Sequence, residues 1–307
     1  MMADSKEFST EEKIEIINSI KSLHLQNISI DEIIFLLNKL MGGYAIRLFI
    51  RSNLVFYRGI AYSPKPNFYQ DLIYPPINKA RVNRANDEGE QFFYGATKKK
   101  AVFYELVAKP GDTFVISTWV TSENLLLSNV GYTTENLKTL GADDTTPFDN
   151  ESGLATSKDQ NMVADFLART FSQAILDENI YKLTISIARM FLGKVNDFHS
   201  IPILNEIDGV LYPTIKYNAN ANNIVLKKKS VDTGKVILDR IEFIEIVDCI
   251  DNKYQYKIID VSEGVKDDII QWNNLQDSWT INDEVEDIYF VDKKAFNEAG
   301  DEIEPDK

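Results

Sequence analysis

Arg84, Asn86, Gly89, Tyr94 and Glu105 compress a cation, an amide, a turn glycine, an aromatic hydroxyl and a carboxylate into 22 residues. The pattern of Gln91-Phe-Phe-Tyr94 predicts a short strand, and the stretch from Lys98 to Val107 predicts the helix that follows it. A strand–turn–helix of this kind can bring a strand tyrosine and a helix glutamate to the two sides of one crevice. An arginine ahead of the strand could hold an anion there. Anion, aromatic and carboxylate together suit a phosphorylated ribonucleoside with a labile glycosidic bond. The same residues also read as ordinary structure, with Tyr94 in a core and Arg84 and Glu105 as a surface ion pair.

Around this segment the elements are legible from caps and periods. Ser9-Thr-Glu-Glu12 and Ser29-Ile-Asp-Glu32 each carry a capping box, a serine with a glutamate three residues on. Ile14, Ile17 and Ile20 form one apolar stripe; Ile33, Ile34, Leu37, Leu40 and Met41 form a second, and Gly42-Gly43 supplies the stop. Residues 1–43 are therefore expected to form a two-helix hairpin whose faces are too small to be stable alone. It is expected to pack on the rest of the chain.

From Tyr44 the period becomes strand-like, through Leu54-Val-Phe-Tyr-Arg58. Prolines 64, 66, 75 and 76 then mark a loop carrying Tyr62, Tyr69 and Tyr74. Thr113 to Val120 reads as a strand, Gly131 to Lys158 as a long polar loop, and Met162 to Leu176 and Ile180 to Leu192 as helices. Val236 to Cys249 and Tyr254 to Val261 read as a hairpin turning at Asp251-Asn-Lys253. Trp279 to Val291 adds one more strand, and the acidic tail from Lys293 is expected to fray.

Composition excludes several functions. Net charge is −14 and the pI is near 4.7, which argues against a direct nucleic-acid surface. The lysine triplets 98–100 and 227–229 read as solvated faces or strand ends. Cys249 is the single cysteine, so neither an intrachain disulfide nor a cysteine-based zinc site can form. His24 and His199 lack ligand-spaced partners, so no metal site and no Ser–His–Asp hydrolase is expected. No secretory leader is visible, and no apolar run reaches the roughly 20 residues of a membrane span. A cytoplasmic protein is the expectation.

The segment from Arg84 to Glu105 resembles the RES family, named for its arginine, glutamate and serine. That family's core reads roughly R-F-N-x-x-G-x-x-x-x-Y, with a glutamate eleven residues later. Phe56-Tyr57-Arg58-Gly59 resembles the family's first arginine on an opening strand. Asp208-Gly209-Val-Leu-Tyr212-Pro213-Thr214 resembles its D-G-x-x-Y-P-S element, and Asn223-Ile-Val-Leu226 the strand after it. The likeness runs from about Tyr44 to Lys229. One departure is Thr214, where the family has serine: a hydroxyl is kept, but a methyl is added and χ1 stiffens.

The resemblance implies an α+β fold, with an ADP-ribosyltransferase-like mixed β-core and flanking helices. Together with the local patterns above, it divides the chain into a helical hairpin (1–43), a catalytic domain (44–229), a β-rich extension (230–292) and an acidic tail (293–307). It further implies an NAD-degrading toxin of a toxin–antitoxin system, with a helix-turn-helix antitoxin as partner. Glu105 would then stabilise positive charge developing on the nicotinamide ribose, and Tyr94 would stack on or hydrogen-bond the nicotinamide ribose end. Arg84 and Arg58 would bind pyrophosphate, and Asn86, Thr214 and Asn223 would position substrate. NAD would be a consumed substrate with no resident cofactor, since no GxGxxG fingerprint occurs. Phosphate or water would be the acceptor. The competing expectation is a catalytically degenerate module of the same fold that binds a partner.

Overall fold

The computed structural model describes residues 8–142, 158–194, 206–251, 253–262, 264–282, 288–297 and 299–306. They form two compact units that interleave along the chain. The first comprises Met1–Arg51, Pro76–Phe92 and Leu125–Lys229, and the second Ser52–Pro75, Phe93–Asn124 and Ser230–Lys307. The chain is mixed α and β, and packing rather than chain order sets the division.

In the first unit, α1 (Thr10–Lys21) and α2 (Ile30–Leu40) begin at the two predicted capping boxes, both formed in full. Ile17 and Ile20 on α1 and Ile33, Leu37 and Leu40 on α2 are buried on the predicted stripes, whereas Ile14, expected on the α1 stripe, is exposed and Lys13 is buried in its place. α2 packs against α6 (Ile180–Phe191), and α1 touches α5 (Lys158–Ser172). Lys182 of α6 donates to the carbonyls of Leu25 at 2.7 Å and Ile28 at 3.1 Å, pinning the turn between the first two helices. The hairpin thus packs on its own unit, as expected. Ser29→Ala removes a cap that serves α2 alone. It should cost about 1 kcal/mol, read as a lower urea midpoint with an unchanged slope.

The unit's sheet contains β1 (Leu48–Arg51), β5 (Leu125–Asn129), β6 (Gly209–Pro213) and β7 (Asn222–Lys227), in the order β1-β5-β6-β7. Only β5 and β6 run parallel. The stretch 131–158, expected to be loop, holds a helix, α4 (Thr134–Thr139). Thr133 caps it by accepting from the Asn136 amide. Residues 143–157 and His199 lie outside the described residues.

The second unit is built on an antiparallel sheet in the order β3-β2-β4-β8-β9-β12. Its strands are β2 (Val55–Ala61), β3 (Phe92–Ala96), β4 (Thr113–Thr121), β8 (Val236–Ile250), β9 (Lys253–Ser262) and β12 (Trp279–Asn282), and β10 (Val265–Lys266) and β11 (Ile269–Ile270) form a separate antiparallel pair. The hairpin expected near Asp251 is present as β8–β9, with Asp251 at φ 51°. The stretch expected to be one strand from Trp279 to Val291 is two strands, because β13 (Ile288–Val291) belongs to a separate sheet with β14 (Lys294–Asn297) and β15 (Glu302–Ile303). The described residues of the acidic tail, expected to fray, include β14 and β15. Trp279 packs edge-on to Phe290 at 5.2 Å and donates its indole N–H to the Ile303 carbonyl at 2.9 Å, so one tryptophan ties this small sheet to β12. Among the described residues, no helix is long and apolar enough to cross a membrane.

Candidate functional site

Arg58, Tyr94 and Glu105 belong to the second unit, whereas Arg84, Asn86, Thr214 and Asn223 belong to the first. Each group is built differently.

In the second unit, the pairing of Tyr57 with Ala96 sets the register of β2 against β3. Side chains alternate along a strand, so positions 57, 59, 94 and 96 face one side of the sheet and 56, 58, 93 and 95 the other. Contacts agree with this. Phe56 meets Phe93 edge-on at 5.8 Å, and Arg58 lies over the Phe93 ring at 5.2 Å. The other side is covered by α3 (Lys99–Leu106), which crosses β2 at Gly59. A Cβ there would overlap Val102 and lie 2.8 Å from Leu106, so only glycine lets the helix come this close. Glu105, half-buried on α3, is therefore on the Tyr94 side of the sheet, and the Arg58 side chain is on the opposite side.

Arg58 reaches back to Tyr94 through its backbone. Its guanidinium donates from Nη1 to the Tyr94 carbonyl at 2.9 Å and from Nε to the Leu72 carbonyl at 3.1 Å. Burial lowers its pKa to about 10, with Tyr94 opposing the shift, so it remains a cation at neutral pH. These bonds fasten the proline-containing loop to the sheet. On that loop, buried Tyr74 donates to the Asp232 carboxylate and Tyr69 leans on Trp119 at 6.1 Å.

In the first unit, Arg84 donates from Nη1 to the carbonyls of Phe171 and, at 3.2 Å, Gln173. Those carbonyls end α5, where a cation is favoured by the helix dipole. The Phe171 ring packs edge-on against Tyr212 at 5.3 Å, and Tyr212 stands directly opposite Asn223 in the β6–β7 ladder. Asn86 is buried and donates to the carbonyls of Arg81 and Asp87, both at 2.9 Å, which holds the turn ahead of Gly89 in shape.

The Asp208–Thr214 segment works as a splice. The Asp208 carboxylate accepts from the Leu126 amide of β5 at 2.9 Å. Gly209 sits against the β7 backbone, where a Cβ would overlap the Val225 carbonyl oxygen. Thr214 is 0% exposed; its hydroxyl donates to the Ala221 carbonyl at 3.1 Å and lies 3.3 Å from the Ala221 amide. The hydroxyl that the resemblance assigns to substrate closes the β6–β7 turn in this conformation.

Arg84→Ala should accordingly lower stability by about 1.5–3 kcal/mol, the worth of a hydrogen bond from a charged group. Arg84→Lys should recover only part, because an ammonium lacks the planar fork. A melting curve on both variants checks this; an unchanged midpoint for Arg84→Ala would contradict the capping role.

One cluster was not foreseen. Lys99, expected on a solvated face, is 5% exposed and pairs at 3.0 Å with Glu242, which is 1% exposed. Arg240 adds a second cation 3.4 Å from the same carboxylate, and the Lys99 ammonium lies 5.9 Å from the Tyr57 ring centre. Nothing local in the sequence marks this pair, since its members are 143 residues apart. Among the described residues, no group of His, Cys, Asp and Glu could hold a metal ion. Searches against family models, curated proteins and solved structures found no match to this chain.

Proposed function

We propose that this protein cleaves the nicotinamide–ribose bond of NAD, as a member of a RES-like family of toxins. The observation that carries the reading is that Tyr94 and Glu105 lie on the same side of one sheet, at the spacing the resemblance requires. Nicotinamide leaves as a neutral amine, so the chemistry needs no strong acid. The barrier is the oxocarbenium charge developing on the ribose, and a carboxylate held beside it lowers that barrier electrostatically. Glu105 has that role. Tyr94 packs against the ribose, and Arg58 contributes positive potential while bracing the strand that carries Tyr94. Asn86, Thr214 and Asn223 support the first unit's framework, whereas the resemblance assigns them to substrate.

The acceptor is phosphate or water, and the products separate them. Incubating the purified protein with NAD, with and without phosphate, should release nicotinamide. Mass analysis then reads ADP-ribose for hydrolysis or its phosphorylated form for phosphorolysis. NAD left intact with stoichiometric protein in both mixtures would reject catalysis.

A second reading is a partner-binding module on the same fold, without turnover. Its specific support is that the Thr214 hydroxyl and the Arg84 guanidinium are both committed to backbone groups. Co-expression tests it, because an NAD-consuming toxin should arrest bacterial growth unless its helix-turn-helix antitoxin is present, and an inert module should not.

A further inference from the structure

A cavity of about 410 Å³ in the second unit lies outside the groups assigned above. Tyr69, Val231, Asp232, Val236, Leu238 and Val265 form its walls. Those walls are braced. The Tyr69 amide donates to the Asp268 carbonyl at 3.0 Å, Phe68 bridges Ile269, and the Ser122 hydroxyl donates to the Gly234 carbonyl. Tyr74 donates to one oxygen of Asp232, which fixes the carboxylate's orientation. These contacts hold the wall segments in place.

The chemistry of the walls is selective. Among the described lining residues Asp232 is the one charged group, and it shares the cavity with a tyrosine ring and aliphatic side chains. An aromatic face attracts a cation through its quadrupole, a carboxylate attracts it through charge, and valines and a leucine cover an alkyl stem. An anion would meet repulsion from Asp232. A neutral apolar group would gain the aliphatic contacts but nothing from the carboxylate. Burial, Tyr74 and Asp232 all raise the Tyr69 pKa, so its ring is a neutral phenol at physiological pH and the acid sits close to it.

We propose that this cavity binds a small alkylammonium ion, its charge held between the Tyr69 ring and the Asp232 carboxylate. This site is separate from the NAD reading and does not depend on it.

Titration calorimetry on the full chain, with choline and its neutral isostere 3,3-dimethylbutanol, tests it. Choline should bind at least about tenfold more tightly than the isostere, the difference expected of a cation–π contact reinforced by a carboxylate. Asp232→Asn keeps an acceptor for Tyr74 while removing the charge, and Tyr69→Leu keeps bulk while removing the ring. Each should weaken choline about tenfold. Melting curves verify folding, and Tyr69→Leu decides if Asp232→Asn does not fold. Absence of saturable choline binding, equal binding of both probes, or unchanged affinity in the folded variants would each overturn the proposal.

Discussion

Glu105→Gln is expected to lower NAD turnover by about 10²-fold or more while leaving NAD affinity nearly unchanged. The substitution preserves shape and hydrogen-bonding capacity and removes only the negative charge. In ground-state NAD the positive charge is spread over the nicotinamide ring, and it moves onto the ribose only as the glycosidic bond breaks. A carboxylate beside the ribose therefore acts mainly on the transition state, and the loss falls on the rate. Glu105 is half-buried on α3, whose attachment to the sheet runs through Val102 and Leu106 at Gly59. A melting curve verifies that the variant is folded. Single-turnover kinetics with an independent affinity measurement separates the two effects. Undiminished turnover in a folded Glu105→Gln protein would falsify the catalytic assignment.

The largest expected loss of stability is at Glu242. Its carboxylate is 1% exposed and is the acceptor for Lys99 at 3.0 Å, with Arg240 at 3.4 Å. Breaking a buried pair by removing one member leaves the other charge desolvated and uncompensated, at a cost of about 3–5 kcal/mol. Glu242→Leu should show that full cost in urea denaturation. Replacing both members removes the stranded charge, so Lys99→Met placed on Glu242→Leu should recover more than half of the loss. Arg240 stays in that double variant, with its Nε 3.4 Å from the lost carboxylate, so part of the loss remains. A double-mutant cycle measures the coupling. Additive losses would mean that the two side chains do not interact energetically.

The two variants also differ in what they report. Glu105→Gln should change chemistry with the fold intact, and Glu242→Leu should change the fold's stability at a position the proposed chemistry does not use. The cavity beside Tyr69 offers a third, independent reading, through ligand affinity alone.

Local physics was legible in the sequence wherever an element's own residues decide it. The capping boxes at Ser9 and Ser29 fix where α1 and α2 begin, because the serine hydroxyl and the glutamate satisfy amides within one turn. The strand at Thr113, the hairpin turning near Asp251 and the helix after Lys98 follow from period and turn chemistry over a few residues. The short α4 was hidden because its polar residues resemble loop, and its single cap at Thr133 is a weak signal. β14 and β15 were hidden because the tail's partners, the β12 residues Trp279 and Thr280, lie upstream of it and no local period marks them.

The candidate site divides along the same line. Residue types and spacing pointed to Arg58, Arg84, Tyr94, Glu105 and Thr214 together, but spacing along a chain carries no information about which side of a sheet a residue faces. The register of β2 against β3 puts Tyr94 and Arg58 on opposite sides. Likewise, a hydroxyl or guanidinium has the same letter in the sequence whether it meets a ligand or a carbonyl. Thr214 and Arg84 meet the carbonyls of Ala221 and of the end of α5. Lys99 reads as one of three consecutive lysines, and only the fold brings Glu242 to it from 143 residues away. Short-range hydrogen bonding and periodicity are properties of neighbouring residues, so the sequence alone determines them. Burial, facing and the pairing of charges depend on which distant segments meet, and only the tertiary structure decides that.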